Sequence, residues 1–527
     1  MKKLTSVLLA VLMLLTLAIP AFAAEKQGTD IPNVYLQGQG AHIVLPNGTV
    51  IFDGGNLPDG FLGDAVKECM PLFIDAMKND DQASWDAYRA KLMELLRPVI
   101  GGYALDKNGE ASDGSYTNWN NFSANADRYP DGSYKMRSFN FYQDWRLDPF
   151  ANADALHDYI EIVKSKSQSQ TINLVGRCEG ANVILAYLDK YGTQGINCVE
   201  LYVQSASGVD LMNALFSGAM QFDAAALRRF KQNLPPDYKI EDQMVNELLD
   251  AALEFTGDTM LLDAGLAGLQ MLAPKIYKEV IVYILRETYG TMPGIWALVG
   301  PDYYAKAREG VFGGYEEEYA GLLEKLDNYD ARVRQRVPEI IKNGIAAGVK
   351  FANYAKYGDF QVQPLCETNN EIGDNSVSLK AESLGATTAK YGSTLSDQYL
   401  ADAEKKGTAK YISPDKMVDA STCLLPDTTW FIYGSSHTQF PAIIHDFMLK
   451  FLKANGNMTV FSDPTAPQYM VYTGPEDNGD TLVPMTAENA ETLDSGTVIF
   501  KEVNWKDMIL RFFKAILAFI KQLIANR

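Results

Sequence analysis

The chain has 527 residues, of which 47% are hydrophobic, and carries a formal net charge of −19 at neutral pH. A chain of this length and apolar content can bury a large core, and it is neither Pro/Gly-rich nor repetitive, which excludes the disordered and fibrous classes of protein. The acidic charge argues against nucleic acid and against an anionic membrane surface as electrostatic partners.

The N-terminal segment, residues 1–23, has the pattern of a bacterial secretory signal peptide. Two lysines precede an apolar stretch from Leu8 to Ile19, and Ala21-Phe22-Ala23 is a small-x-small cleavage site. We therefore expect cleavage before Ala24 and a secreted, extracellular mature protein.

The first buried strand is predicted at Val34 to Leu36, and Gly38-Gln39-Gly40 follows it. A glycine-rich turn after an early strand lets the backbone approach a substrate closely, which makes the amide of Gln39 a candidate for oxyanion binding. An ordinary turn into a hairpin at residues 42–52 explains the same glycines equally well. Amphipathic patterns then predict helices over residues 61–78 and 83–98.

A second apolar run, Ile172 to Val175, leads into Gly176-Arg177-Cys178-Glu179-Gly180 and then into a helical pattern. This arrangement is a strand, a sharp turn and a helix. Such a turn needs glycine on both sides, because its central residue is strained and a Cβ two places away would collide with the strand or helix. The helix N-terminus and the amide of Glu179 would then face negative charge developing at Cys178. The alternative is a glycine-rich connection that carries a buried thiol.

Upstream of this turn, Phe139 to Arg146 is an aromatic strand pattern that ends in Asp-Trp-Arg, and a helix pattern follows it. Residues 139–208 thereby resemble the nucleophile-elbow region of secreted lipases and of the lecithin:cholesterol acyltransferase-like branch of the α/β-hydrolases. The resemblance implies an α/β-hydrolase fold, with a mostly parallel central sheet flanked by helices and a large inserted helical cap. The family usually has His and Ser where this chain has Arg177 and Cys178. Members of the dienelactone hydrolase type work with cysteine in this motif.

Strand patterns near residues 34, 139, 172 and 199 alternate with helices, which is typical of a mostly parallel sheet. From about Asp210 to Ala355 helical patterns replace the strands, and an insertion at this place resembles the lid of lipases. Its apolar stretches would line a cavity for a hydrophobic group, although the core of the cap itself accounts for most of them. The predicted divisions are the signal peptide (1–23), the first part of the core (24–209), the cap (210–356), the second part of the core (357–454) and a C-terminal extension with short strands and an amphipathic helix (455–527).

The sheet is predicted to resume at Phe360 to Leu365. The stretch around Asp374 resembles the acid loop of lipases, with Asn375 in place of the usual glycine. A strand at Thr429 to Tyr433 leads into a loop that contains His437, and a helix follows directly. The order Cys178, Asp374, His437 is the one that the hydrolase fold places on its sheet. In this interpretation the thiolate attacks a carbonyl, the imidazole carries the proton, and the carboxylate fixes the tautomer of the imidazole.

Asp480 is the alternative acid, because Asp477 to Pro484 resembles the acid loop of the acyltransferase-like branch. No histidine follows residue 445, so that register lacks its base and Asp374 is preferred. The remaining cysteines allow three pairings or four free thiols; they are Cys69, Cys198, Cys366 and Cys423. With no C-x-x-C spacing and only four histidines, we expect neither a metal site nor a cofactor.

The C-terminal pattern, Trp505 to Ala525, predicts a basic amphipathic helix, which packs on its own domain more often than it lies on a membrane. The sequence as a whole predicts a secreted hydrolase of carboxylic esters with a lipid or other hydrophobic acyl group. Its catalytic residues would be Cys178, His437 and Asp374, with the amides of Glu179 and Gln39 as the oxyanion site. The alternatives are a catalytically inactive binding protein of the same fold and an acyltransferase. The sequence makes no prediction of oligomeric state.

Overall fold

The fold was analysed in a computed structural model of the chain, which describes residues 31–52, 61–98, 100–117, 137–222, 226, 260–358, 366–368, 371–474 and 479–493. The strands of this part are β1 (Asn33–Leu36), β2 (Ile43–Val44), β3 (Val50–Phe52), β4 (Ser138–Phe141), β5 (Ile172–Arg177), β6 (Ile196–Tyr202), β7 (Lys350–Tyr357), β8 (Thr387–Thr388), β9 (Val418–Asp419), β10 (Thr429–Tyr433), β11 (Tyr469–Thr473) and β12 (Thr481–Pro484).

The helices of the described residues are α1 (Phe61–Asn79), α2 (Gln82–Leu96), α3 (Pro149–Ser167), α4 (Gly180–Tyr191), α5 (Asp210–Ser217), α6 (Met260–Ile276), α7 (Val282–Glu287), α8 (Pro293–Trp296), α9 (Pro301–Phe312), α10 (Ala320–Arg332), α11 (Val337–Ala346), α12 (Leu379–Glu382), α13 (Asp397–Lys406), α14 (Ala442–Lys453) and α15 (Ala487–Ala490). A π-helical turn, Tyr277–Ile281, joins α6 to α7.

Among the described residues, eight strands form one central sheet in the order β12-β11-β10-β7-β6-β5-β1-β4. All its neighbours are parallel except β12, which runs antiparallel to β11. The prediction of an α/β protein with a mostly parallel central sheet is therefore confirmed. In such a sheet the carboxyl ends of the strands meet at one edge, where loops can bring distant residues together.

Helices cover the sheet on both faces. On one face, alternate strand residues such as Leu174 and Leu201 pack with α3, α4 and α11. On the other face, their neighbours Val175 and Tyr202 pack with α14. This alternation is the two-residue period of a pleated strand, and burial on both sides explains why these strands are apolar in almost every position.

The region between β6 and β7 contains helices in all its described parts, namely α5 to α11. Apolar residues of these helices form one cluster with residues from the β2–β3 hairpin and from the segment of residues 93–105, as well as with Trp145. The prediction that this region is a cap over a binding cavity stays a prediction.

One strand was missed by the sequence analysis. β7 lies at the end of the range predicted as cap, 210–356, and extends one residue beyond it, yet it pairs with β6 and β10 at the centre of the sheet. Its pattern includes polar residues that are fully buried, Asn353 and Lys356. The amide of Asn353 donates to the carbonyl O of Glu382, and Nζ of Lys356 donates to the carbonyl O of Ser436. These polar residues make the sequence of β7 resemble an exposed segment. In the structure, groups from distant parts of the chain satisfy their hydrogen bonds.

The chain after residue 454 also differs from the prediction. Two short strands of the range predicted as a C-terminal extension, β11 and β12, belong to the central sheet. Other predicted features lie outside the described residues; these are the signal peptide, the strand Phe360 to Leu365, and the C-terminal helix Trp505 to Ala525. None of the described helices is both long enough and apolar enough to cross a membrane.

Candidate active site

Cys178 lies in the sharp turn between β5 and α4. Its φ of +50° is in the left-handed region, where a non-glycine residue costs on the order of 1–3 kcal/mol. A Cβ added to Gly176 would be 2.9 Å from the backbone N of Ala181. A Cβ added to Gly180 would be 2.6 Å from the carbonyl O of Leu36. Close backbone approach therefore requires both flanking glycines, and the turn holds Cys178 at the carboxyl edge of the sheet.

The predicted base and acid are in direct contact. Nδ1 of His437 donates a hydrogen bond to Oδ2 of Asp374 over 2.5 Å, and the backbone N of His437 donates to the backbone O of Asp374 over 2.8 Å. The other carboxylate oxygen of Asp374 accepts the amides of Ser376 and Val377. Both side chains are buried. The acid loop and the loop after β10 are thus joined through main chain and side chain together.

The imidazole of His437 is also close to Cys178. Burial acts to lower the pKa of His437, but the charge of Asp374 and then that of Cys178 outweigh burial and raise the pKa to about 9. Within the described residues, Nε2 of His437 has no hydrogen-bond partner. The nitrogen opposite Asp374 is therefore left for the thiol or for a substrate atom, which is the role that a proton-transferring histidine needs.

Two cations, the partly buried Arg177 and the fully buried Lys356, hold the loop of His437 by its carbonyl groups. Nη2 of Arg177 donates to the carbonyl O of Thr438 over 2.8 Å and to that of His437 over 3.4 Å. Nζ of Lys356, on β7, donates to the carbonyl O of Ser436 over 2.9 Å and also to that of Gln439. Because Arg177 is the neighbour of Cys178, its contacts place the elbow and the histidine loop at the same edge of the sheet.

Glu382 lies beneath the acid and is fully buried. Its Oε1 accepts the backbone N of Lys356 over 2.8 Å. Burial and then the charge of Asp374 raise the pKa of Glu382 well above its usual value. Burial would raise the pKa of Asp374 too, but His437 and two backbone amides lower it. Of the two carboxyls, Asp374 is therefore the ionised one and Glu382 the neutral one.

The candidate oxyanion amides flank Cys178. A Cβ added to Gly38 would be 3.0 Å from Cβ and 3.6 Å from Sγ of Cys178, so the segment after β1 lies directly against the thiol. The next amide along the chain is that of Gln39, and the amide of Glu179 starts α4. In the described part of the chain neither N–H donates to another group. Unpaired amides beside a nucleophile are what an oxyanion site requires, and their joint role stays a prediction.

Ser435 and Glu382, on the side of His437, each have one buried polar atom without a hydrogen-bond partner among the described residues. On the side of β1 and β4, three more buried side chains have such atoms. These atoms are Nε2 of Gln39, both side-chain polar atoms of Gln143, and Oε2 of Glu179. Burial, the charge of Cys178 and the charge of Asp144 raise the pKa of Glu179 well above its usual value, which favours the neutral carboxyl. Each unpaired buried polar group costs about 1–3 kcal/mol, and such groups concentrate where a protein binds something polar.

The other predicted candidates lie elsewhere. Asp480 is exposed and its Oδ1 accepts the hydroxyl of Tyr472 over 3.2 Å, so the geometry favours Asp374 as the partner of His437. His157 stacks on Tyr191, with ring centroids 4.1 Å apart. All five cysteines are free and buried, which answers the question of pairing that the sequence left open. No cluster of three or more His, Cys, Asp or Glu side chains suited to a metal occurs in the described ranges.

The sequence analysis missed the polar residues that support or line this edge, which are Gln143, Glu179 through its side chain, Lys356 and Glu382. Gln143 carried a usable signal, because it is a polar residue in the aromatic strand pattern of residues 139–146, which comes before the elbow strand in the chain. Lys356 and Glu382 carried none, since their partners lie on segments remote in the chain. Comparison with known proteins adds no assignment: no family model matches this chain, and no curated protein matches it.

Proposed function

We propose that this chain is an exported α/β-hydrolase that cleaves carboxylic esters through an acyl-thioester on Cys178. His437 would carry the proton and Asp374 would hold His437. The observation that carries the proposal is the short Asp374–His437 hydrogen bond beside a cysteine in a strained strand-to-helix turn. A nucleophile, a base and an orienting acid on separate loops of one sheet edge are the arrangement that acyl transfer needs.

The first half of the reaction follows from the charges. A raised pKa of His437 favours the imidazolium beside a thiolate, so Sγ of Cys178 attacks the ester carbonyl without first losing a proton to a neutral base. The carbonyl π electrons move to the oxygen, which accepts hydrogen bonds from the amides of Glu179 and Gln39. When the tetrahedral adduct collapses, the C–O bond breaks and His437 protonates the departing alkoxide.

The second half returns the enzyme to its starting state. Water attacks the thioester carbonyl while the now neutral His437 accepts its proton, and the C–S bond breaks to release the carboxylic acid and the thiolate–imidazolium pair. If an alcohol takes the place of water, the same steps give acyl transfer. The choice between the two depends on which nucleophile reaches the thioester.

The helical region between β6 and β7 is proposed to cover this edge as a cap. Gly294 of α8 supports this role, because its N donates to the carbonyl O of Arg146, and a Cβ added to it would be 2.9 Å from Oε1 of Glu179. The proposed export rests on the signal-peptide pattern of residues 1–23.

The test is a series of p-nitrophenyl esters of rising chain length, assayed with the mature protein and with Cys178→Ala. We expect ester hydrolysis by the parent protein and a loss of at least about 10³-fold in Cys178→Ala. Turnover that requires an added alcohol would assign acyl transfer in place of hydrolysis. Ester binding without any turnover that depends on Cys178 would refute the enzyme and favour a binding protein.

A further inference from the structure

Three side chains near Cys178 that have unpaired polar atoms, those of Gln39, Gln143 and Glu179, lie on the side of the site that leads away from His437. In the sheet order, β1 lies next to β5 and β4 lies next to β1, whereas β7 and β10 lie on the other side of β5. His437 follows β10, and Gln39 and Gln143 follow β1 and β4. An acyl group bound at Cys178 on this second side would therefore pass over the ends of β1 and β4.

The strand registers place these residues relative to the thiol. Leu36 is paired with Gly176 on one side and with Phe141 on the other. When both registers are extended by two residues, Gly38 lies opposite Cys178 on one side and opposite Gln143 on the other. The close approach of Gly38 to Cys178 agrees with the first extension. Since neighbouring strands are about 4.8 Å apart, the backbone of Gln143 is about 10 Å from that of Cys178.

Two contacts bring the segment after β4 close to Glu179. The charge of Asp144, the residue after Gln143, acts on the carboxyl of Glu179. In addition, a Cβ added to Gly294 would meet both Oε1 of Glu179 and the carbonyl O of Trp145. The absence of a side chain at Gly38 leaves the line from the sulfur to Gln143 unobstructed at that position.

We propose, on the basis of the proposed function, that Gln39, Gln143 and Glu179 form a hydrogen-bonding subsite that selects esters whose acyl group carries an amide. N-acylated amino acid esters are the substrate class. The side-chain amide of Gln143 offers one donor and one acceptor, and Nε2 of Gln39 offers a further donor. These neutral groups complement a neutral amide, which also needs one acceptor and one donor. The apolar part of the acyl group would extend beyond it toward the apolar cluster of the helical region.

The test compares p-nitrophenyl N-acetylglycinate with p-nitrophenyl 4-methylpentanoate, which has the same shape without the amide, after subtraction of the rates of Cys178→Ala. Each kcat/KM is divided by the rate constant for alkaline hydrolysis of the same ester, because the amide withdraws electrons and makes the glycinate ester intrinsically more reactive. We expect the resulting value to be at least about tenfold higher for the amide ester, because a site that hydrogen-bonds a polar group rejects the analogue that lacks it. Gln143→Leu should bring the ratio of the two values close to one. The exposed Gln398, changed to Leu, is the matched control and should leave the ratio as it is.

A binding measurement separates this inference from the proposed function. Ligand-observed NMR with Cys178→Ala would compare the methyl esters of N-acetylglycine and 4-methylpentanoic acid. Preferential binding of the amide ester that Gln143→Leu removes would support the subsite even if no ester is hydrolysed. Three outcomes would overturn the subsite. The first is equal values for the two p-nitrophenyl esters, and the second is a preference that survives Gln143→Leu. The third is the absence of both turnover and preferential binding. The comparison in the unaltered protein decides the question even if Gln143→Leu does not fold.

Discussion

At the scale of single residues, burial affects the cysteines unequally. Burial is the largest cause of a raised pKa in all four of the other thiols, to about 12 for Cys198 and Cys423, and upward for Cys69 and Cys366 as well. A raised pKa leaves little thiolate at neutral pH, and the thiolate is the reactive form. Cys178 differs from these four in having an imidazole and a guanidinium close by.

Iodoacetamide should therefore label Cys178 before the other cysteines. At pH 7 we expect its rate to exceed that of each other thiol by at least about tenfold, as measured by mass spectrometry of peptides after timed quenching. His437→Ala should slow the labelling of Cys178, since the positive charge that favours its thiolate is removed. Equal, slow labelling of all five thiols would contradict an activated nucleophile.

The two candidate acids can be separated by matched substitutions. Asp374→Asn keeps the shape of the side chain but removes the charge that orients and stabilises the imidazolium, and we expect kcat to fall by about 10²–10⁴-fold. Asp480→Asn changes an exposed carboxylate whose partner is Tyr472, and kcat should stay within about twofold of the parent value. A larger loss in Asp480→Asn than in Asp374→Asn would reverse the assignment. Thermal unfolding of both variants checks that they are folded.

At the scale of the elements, the local sequence pattern predicts a strand or helix correctly when the residues of that element are of one chemical kind. β1, β5 and β10 were predicted as strands because they are apolar, and the helix predicted directly after the loop of His437 is α14. The elbow was recognisable because its glycines are a local requirement. β7 was missed because its polar side chains are satisfied by groups on α12 and on the loop of His437, which no local pattern contains.

Substitution in β7 tests whether that strand positions the loop of His437. Lys356→Met removes a charged donor from two carbonyl groups of the loop, and each keeps one other donor, the backbone N of Gln439 for Ser436 and the hydroxyl of Tyr202 for Gln439. A lost hydrogen bond to a charged group costs about 1.5–3 kcal/mol. We expect a lower melting temperature and a fall in kcat of about tenfold or more, with a smaller change in KM.

The control for that change is Lys350→Met on the same strand. Lys350 is only partly buried, and its Nζ has a long hydrogen bond of 3.4 Å to Asn197. Its substitution should change neither kcat nor the melting temperature by much. If both variants lose stability but kcat stays at the parent value in Lys356→Met, the lysine supports the fold alone and does not position the histidine loop.

At the scale of the whole molecule, the site is assembled from segments that only the sheet brings together. Cys178, Asp374 and His437 were predicted from the sequence because each follows a strand or resembles a known loop. Their meeting depends on β7, which inserts between β6 and β10 and so sets the distance between elbow and histidine loop. The polar side chains around these three residues were not predicted, because what distinguishes them is their burial and their lack of hydrogen-bond partners. A linear sequence pattern shows neither property.

Burial of the charged pair links the site to the stability of the whole protein. The pKa of His437 rises from 6.5 to about 9 on folding, so the folded chain binds this proton more tightly than the unfolded chain does. The resulting stabilisation is fully present below pH 6.5 and is lost as the pH rises through 9, with an upper size of about 3 kcal/mol. The free energy of unfolding, measured by urea titration between pH 6 and 10, should therefore fall more steeply in the parent protein than in His437→Gln. Parallel curves for the two proteins would show that His437 is not held as an imidazolium.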